Sequence, residues 1–263
     1  AYGHNTPIVF VPSMHDSMYD AVYENILKLE SEGIKFVNPR MDEGKAKFPA
    51  VEDIILESLR NINLNRAKMN LDKNNIAGKK VLISLGGTYE AIDPIRGITN
   101  RSSGKMGLEL AKQAYIRGAD LTLLVAHVTV NIPKVFNIIY AESTEIMNNK
   151  TKELVSDFDI FIATAAVSDF APIKEESFKI SSDINLSLDF KPLNKIIKQI
   201  KDINHNIFLV GFKAEYNISE DKMIECAHNQ IESAGTDLVV ANDVGRAGCE
   251  FGSDTNEVIL VNE

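Results

Sequence analysis

From Lys79 onward the chain alternates short apolar runs with amphipathic stretches. The runs KKVLISL, DLTLLVA, FNIIYAES, FDIFIATAAV, NIFLVGF, TDLVVAN and EVILV read as strands, several of them apolar on consecutive positions as strands buried on both faces are. Between them lie helical patterns: GKMGLELAKQAYIRG with Leu110, Ala111, Ala114 and Tyr115 on one face, a stretch around Glu145–Val155, a pattern beginning near Pro192, and another over about Ser219–Ser233. Such alternation builds a parallel sheet covered on both sides, and it predicts a doubly wound, Rossmann-like α/β domain. The segment Ser168–Phe190 breaks the rhythm. Within it Ile184, Leu186, Leu188 and Phe190 alternate strictly with polar residues, which predicts an exposed β-ribbon.

The first 70 residues are sparser. PIVFVPSM and IKFV are strand candidates, Ser17–Glu32 carries Val22, Ile26 and Leu29 at helical spacing before Gly33, MDEGKAKF reads as a charged turn, and VEDIILESLRNI as a helix. Two strands and two helices give a thin core, so this part is expected to be an incomplete α/β segment of something larger. The polar stretch Asn63–Gly78 reads as a linker, helical in part. The division expected is 1–72 and 73–263.

Composition narrows the function. Of 263 residues, 44% are hydrophobic and 25% charged, an ordinary globular balance. Carboxylates exceed basic groups, 37 − 28 = 9, for a formal charge of −9. That field argues against a general nucleic-acid-binding role while leaving room for a local basic pocket. No apolar run approaches the roughly 20 residues of a membrane span, and AYGHNTPIVF has no signal-like core. The absence of an initiator Met points to a processed chain or a fragment. Cys226 and Cys249 form no CxxC and no disulfide framework, favouring a reducing cytoplasm. The histidines (His4, His15, His127, His205, His228) are scattered without the spacing of a zinc site.

In doubly wound sheets ligands bind beyond the carboxyl ends of the strands. After KKVLISL comes GGTYEAIDPIRGITNRSSGKMG. Gly86 and Gly87 would let backbone amides approach a ligand, Thr88 adds a hydroxyl, and Ser102, Ser103 and Gly104 open a helix whose N-terminus suits an anion, with Lys105 adding a cation. A plain N-cap and strand-to-helix turn is the competing reading, but the connecting loop, with Asp93-Pro94 and Arg96 inside it, is long for a compact domain. The string lacks the spacing of a dinucleotide fingerprint or a Walker A loop. After FDIFIATAAV stands Asp169, which suits a magnesium ion, a ribose contact or an ordinary turn. Lys213 and Glu215, and Asn242 and Asp243, close two further strands. Spacing therefore points to a nucleotide or phosphorylated ligand without naming a reaction.

GGTYEAIDPIRGITNRSSGKMG, ATAAVSDFAP, VGFKAE and ANDV, in that order, resemble the phosphopantothenoylcysteine synthetase family, the ligase of coenzyme A biosynthesis, over about Lys79–Glu263. The upstream part is similar to the C-terminal portion of phosphopantothenoylcysteine decarboxylase, a flavoprotein: PSMHDSMY resembles its substrate clamp, with His15 where Asn is common. The segment bearing the flavin site and catalytic His would lie upstream of Ala1, so FMN is expected only in a complete decarboxylase domain, and VNPRMDEGKAKFP lacks the Cys of the bacterial flap. The resemblance implies a cytoplasmic enzyme that takes 4′-phosphopantothenate, L-cysteine and CTP with Mg2+. The acid attacks CTP to form an acyl-cytidylate, and the amine of cysteine then displaces CMP. It implies that Asn100 engages the acyl intermediate, with Arg96 beside it on the substrate, and that Lys179 contacts and activates CTP. Asp169 sits at the cation and nucleotide site, Ala163, Thr164, Ala165 and Ala166 read the nucleotide by backbone groups, Phe212 lines its pocket, and Asn194, Lys195, Ile196 and Ile197 begin a helix beside it.

Departures are clear as well. Ile180-Ser181-Ser182 replace later lysines of the family's string, and Gln230 and Ala234 stand where bacterial relatives carry lysines. Either Lys191, Lys195 or Lys213 compensates, or nucleotide binding is weaker. The chain stops after EVILVNE without the terminal helix common in relatives. The ribbon lies in the region of family dimer contacts, so a homodimer is expected, with no nucleic-acid or membrane partner. The competing expectations are an NAD(P)-dependent oxidoreductase on the same fold and a non-catalytic fragment of a bifunctional flavoprotein.

Overall fold

The structure, a computed structural model, describes residues 6–43, 45–72 and 75–263; His4 lies outside the described residues. The chain divides into two compact units. One comprises the described residues up to Lys79 with 112–121 and 131–137, and the other comprises 80–111, 122–130 and 138–263.

In the first unit β1 (Val9–Phe10) runs parallel to β3 (Lys35–Phe36), and Phe10 stacks on Phe36 with ring centroids 5.4 Å apart. β2 (Met14–His15), β4 (Arg40–Asp42) and β5 (Lys45–Lys47) form an antiparallel sheet in the order β2-β5-β4. The stretch read as a charged turn is thus a hairpin. Lys47 reaches Asp42 at 2.8 Å, the cross-strand attraction that lets a polar sequence pair. α1 (Asp16–Ser31) follows the expected helix, with Ile26 buried. α2 (Val51–Lys68) runs on into the stretch read as linker, because its polar face has partners. Arg60 donates to the carbonyls of Tyr115 and Ala119 at 2.6 and 2.7 Å, and Asn63 to that of Ile116 at 2.8 Å. The core is thin: Met18, Tyr23 and Leu27 of α1 and Val51, Ile55, Leu59 and Ile62 of α2 stay exposed.

In the second unit, β6 (Lys80–Leu85) is central, and the hairpin β7 (Tyr89–Ala91) and β8 (Gly97–Thr99) rises from the loop after it. Along the chain α3 (Lys105–Ile116), β9 (Asp120–Val125), β10 (Asn137–Tyr140), α4 (Thr144–Leu154) and β11 (Ile160–Ala163) follow, with 112–121 and Asn137 counted in the first unit. Next come the ribbon strands β12 (Phe170–Pro172) and β13 (Phe190–Pro192), a 3₁₀ turn over Ile196–Gln199, α5 (Ile200–Ile203), β14 (Phe208–Glu215), α6 (Glu220–Ala234), β15 (Leu238–Asp243) and β16 (Ile259–Val261). Seven strands form one sheet in the order β10-β9-β6-β11-β14-β15-β16. β6, β11, β14 and β15 are parallel and in register, with Ser84 beside Ala163 and Ala163 beside Gly211. The apolar strands are buried as expected, and Leu82, Phe161 and Leu209 pack with Met147, Val155, Ile196, Ile200 and Ile207. Met223, Ala227 and Ile231 of α6 cover Val239 and Ala241. The mixed α/β fold with a central, mostly parallel sheet therefore stands.

Three expectations change. β16 is antiparallel to β15; a parallel neighbour needs a crossover, usually a helix, and 244–258 supplies none. The helix expected after Pro192 is only the 3₁₀ turn and the short α5. The ribbon is confined to β12 and β13, while Ile184–Asp189 joins no strand, with Ile184 58% exposed. Pro172 and Pro192, lacking N–H donors, limit the ladder that alternation alone suggested.

Candidate active site

The strand order reverses between β6 and β11, since the chain leaves β6 for β9 and β10 on one side and enters β14 and β15 from β11 on the other. Loops diverging there open the crevice in which such sheets bind ligands. Several of the expected site residues stand on the loops around this point, and a number of them have duties inside the protein.

Gly87 donates to the His127 carbonyl at 2.9 Å and accepts from the His127 amide at 3.0 Å. Thr88 donates to the Ala166 carbonyl at 3.3 Å, and Gly86 accepts from the Ala166 amide at 2.8 Å. The Gly87 amide, expected to approach a ligand, and the neighbouring Thr88 amide instead join three strand ends. Thr88 is fully buried and its hydroxyl meets Thr144 and the Ser168 amide. Gly86 has φ +90°, and a Cβ there would collide with the His127 carbonyl oxygen. Gly86→Ala is accordingly expected to destabilise the chain by at least about 1 kcal/mol. A urea midpoint equal to that of the parent would refute this role. With these amides engaged and α3 beginning only at Lys105, the dinucleotide cradle of an oxidoreductase is missing from this turn.

The loop after β7 is organised by Asp93, whose side chain is fully buried. It accepts from the amides of Ile95 and Arg96 at 2.9 and 2.8 Å, from the Arg96 guanidinium at 3.0 and 2.5 Å, and from the Ile180 amide at 3.2 Å. Arg96 also donates to the Ile180 carbonyl at 2.7 Å. The guanidinium beside Asp93, together with the backbone donors, holds its carboxyl well below the usual carboxylate range. Arg96, expected on the substrate, is thus bound into a clip around Ile180. Lys179, next to that clip, is exposed and makes no hydrogen bond or ion pair among the described residues.

Asn100 closes the same loop. Its Nδ2 donates to the carbonyls of Ala166 at 2.9 Å and Val167 at 3.4 Å, so Asn100 meets the half-buried run Ala163, Thr164, Ala165 and Ala166 at the end of β11. Asp169, just beyond, is exposed and ion-paired with Lys195. At the start of α3 the Ser103 hydroxyl accepts from the Lys105 amide at 3.3 Å, while Ser102 is half-buried and Gly104 buried. The Lys105 ammonium is engaged by Asp254 at 2.7 Å and the Gly252 carbonyl at 2.6 Å. This start of α3 is therefore a capped turn with an internal ion pair.

On the other side of β11, Gly211 of β14 faces residues from two elements, and the next residue, Phe212, is half-buried. A Cβ on Gly211 would collide with Gln230 Nε2 and touch Ile197. Gln230 Nε2 and Thr236 Oγ1 are buried atoms that find no hydrogen-bond partner among the described residues. Asn194 and Lys191 are exposed, Ile196 is buried, and Lys213 is paired with Glu215 at 2.8 Å. Ala234 is buried with no polar group to offer, and Asn242 Nδ2 makes a 3.4 Å contact with Asn256. Sequence reasoning overlooked Glu90, buried on β7, whose Oε1 accepts from the Thr144 amide at 3.0 Å and the Thr144 hydroxyl at 2.7 Å. A single glutamate within a mixed loop carries no local signal of burial.

This arrangement coincides with a known family. Residues 76–263 match the DNA/pantothenate metabolism flavoprotein C-terminal domain, and residues 1–63 match the Flavoprotein family. The chain belongs to the first of these families. It is 42% identical over 99% of its length to the coenzyme A biosynthesis bifunctional protein CoaBC of Thermococcus kodakarensis, and 35% identical over 98% to that of Methanocaldococcus jannaschii. It spans 62% and 61% of those two relatives' lengths. The crystal structure of the DNA/pantothenate metabolism flavoprotein from Streptococcus pneumoniae superposes with a TM-score of 0.64 at 26% identity, covering 70% of this chain and 89% of that one. No helix among the described residues is long and apolar enough to cross a membrane.

Proposed function

We propose that the chain is the phosphopantothenate–cysteine ligase part of a coenzyme A biosynthesis enzyme, using CTP. The observation that carries this reading is the contact of Asn100 with the Ala166 carbonyl at the switch point, beside Asp169 and Lys195. It joins the strings GGTYEAIDPIRGITNRSSGKMG and ATAAVSDFAP, which lie far apart in sequence, within the span that matches the family.

Two anions must meet here. The carboxylate of 4′-phosphopantothenate attacks the α-phosphorus of CTP, a P–O bond forms as pyrophosphate leaves, and the product is an acyl-cytidylate. The amine of cysteine then attacks the acyl carbon and CMP departs, leaving the amide. Asn100 has two amide hydrogens, and the one in the longer Val167 contact can turn to the acyl oxygen, where charge develops in the second step. Lys179, unpaired and anchored beside the Asp93 clip, would lie along the triphosphate. The backbone of Ala163–Ala166 and the ring of Phe212 would hold the base and ribose, and Gln230 Nε2 would gain in the nucleotide the acceptor it lacks.

Among the described residues no three His, Cys, Asp or Glu side chains cluster as a metal cage. One carboxylate, Asp169, fits magnesium that arrives on a nucleotide, because that ion keeps most of its shell as water and phosphate. When bound it would offset phosphate charge. FMN belongs to a complete flavoprotein domain, and the steps above use the second unit alone. We place the homodimer contact on the exposed Ile184, Leu186 and Phe190.

Purified chain is expected to release pyrophosphate only when CTP, magnesium and phosphopantothenate are all present, with ATP as the control nucleotide. Release independent of phosphopantothenate, or no release with all three, would overturn the reading.

A further inference from the structure

A buried chain of hydrogen bonds runs from Glu90 to the tip of β11. Glu90 Oε1 accepts from the Thr144 hydroxyl at 2.7 Å, Thr144 Oγ1 lies 2.9 Å from Thr88 Oγ1, and Thr88 Oγ1 accepts from the Ser168 amide at 2.9 Å. The direction is fixed by counting hydrogens. A carboxylate only accepts, so Thr144 gives its single hydroxyl hydrogen to Glu90, and Thr88 must then donate to Thr144. Every link points toward Glu90, and each donor is polarised by the next. Glu90, Thr88 and Thr144 are 7%, 0% and 4% exposed, so water does not compete. The carboxylate also accepts from the Thr144 amide at the N-terminus of α4, where the helix dipole favours an anion.

We propose that Glu90 is a positioning residue that, through Thr144 and Thr88, sets the placement of the loop 166–169. That loop carries the Ala166 carbonyl met by Asn100 and the Asp169 carboxylate paired with Lys195. Thr88 holds it twice, through the Ala166 carbonyl and the Ser168 amide. The consequence for nucleotide placement rests on the ligase reading; the ordering of the loop does not.

The test uses the full chain and the variants Thr88→Val, Glu90→Ala and Glu90→Gln. Thr88→Val and Glu90→Ala are expected to raise the KM for CTP about tenfold or more, as loss of a supporting shell does, with the KM for cysteine unchanged. Amide exchange should accelerate over 164–169 and remain slow in the β6 and β11 strands. Glu90→Gln, whose carbonyl oxygen accepts the same two bonds, should restore both readouts. An unchanged CTP KM with unchanged exchange in Thr88→Val overturns the proposal, and so does a Glu90→Gln variant that behaves like Glu90→Ala. Should Glu90→Ala not fold, Thr144→Val removes the same link and gives the same readouts. If the parent chain proves to have no ligase turnover, the functional reading fails, and the exchange pattern over 164–169 still decides whether the chain of bonds orders the loop.

Discussion

Asn100→Ala is expected to reduce ligase turnover by about 10²-fold or more while leaving the fold intact. The side chain is exposed, and what it gives up inside the protein is one 2.9 Å bond to Ala166 and a weaker contact to Val167. Loss of such a surface bond costs about 1 kcal/mol or less. Removal of one donor aimed at developing charge in a dry site costs about 10²–10³-fold in turnover. The two effects therefore separate. Urea unfolding should place the variant close to the parent, calorimetric CTP affinity should fall less than turnover does, and pyrophosphate release should be slowed less than amide formation. The last contrast distinguishes a group that acts on the acyl intermediate from one that merely holds nucleotide. If pyrophosphate release and amide formation decline together and in proportion to CTP affinity, Asn100 belongs to the nucleotide site and not to the acyl group.

Much of this architecture is legible in the sequence. Strands such as KKVLISL and DLTLLVA are apolar on both faces because the sheet is covered on both sides, and that pattern survives any uncertainty about partners. Asp169 is read from its place after an apolar strand and Asn100 from the resemblance its string carries, and in the fold Asn100 meets the Ala166 carbonyl while Asp169 pairs with Lys195. Thr88 and Arg96 stand in the same strings and were read the same way, yet their polar groups face Thr144, Ser168, Asp93 and Ile180. A polar side chain at a strand end looks alike in sequence whether its partner is a ligand or a distant loop, since the choice depends on contacts made only when the chain folds. Lys105 illustrates the same limit, its cation drawn to Asp254 near the far end of the chain. Glu90 was invisible for the opposite reason: nothing near it in sequence announces that a carboxylate will be buried. The ribbon failed differently, because alternation over Ile184–Phe190 reports side-chain spacing and cannot supply a partner strand.

Asp93→Asn should couple stability and activity in a pH-dependent way. The carboxylate takes five donors, and an amide of the same shape can accept at only one of its two terminal atoms. Arg96 then loses its counter-charge, and either the Ile180 amide and the guanidinium, which share Oδ2, or the amides of Ile95 and Arg96, which share Oδ1, are left facing an amide NH2 in a buried place. The strip carrying Lys179 should loosen, so turnover should drop about tenfold or more with a raised KM for CTP. The sign of the pH effect follows from the depressed carboxyl. A group whose folded pKa lies below its unfolded value of about 3.9 contributes stability that is present above that value. The contribution declines as pH falls below it toward the folded pKa. The parent's advantage over Asp93→Asn should therefore be full and flat from pH 7 to pH 5, and should shrink below pH 4. Urea midpoints of both proteins across that range check the sign. A gap that stays constant into acid would mean that Asp93 acts through shape alone and not through its charge on Arg96.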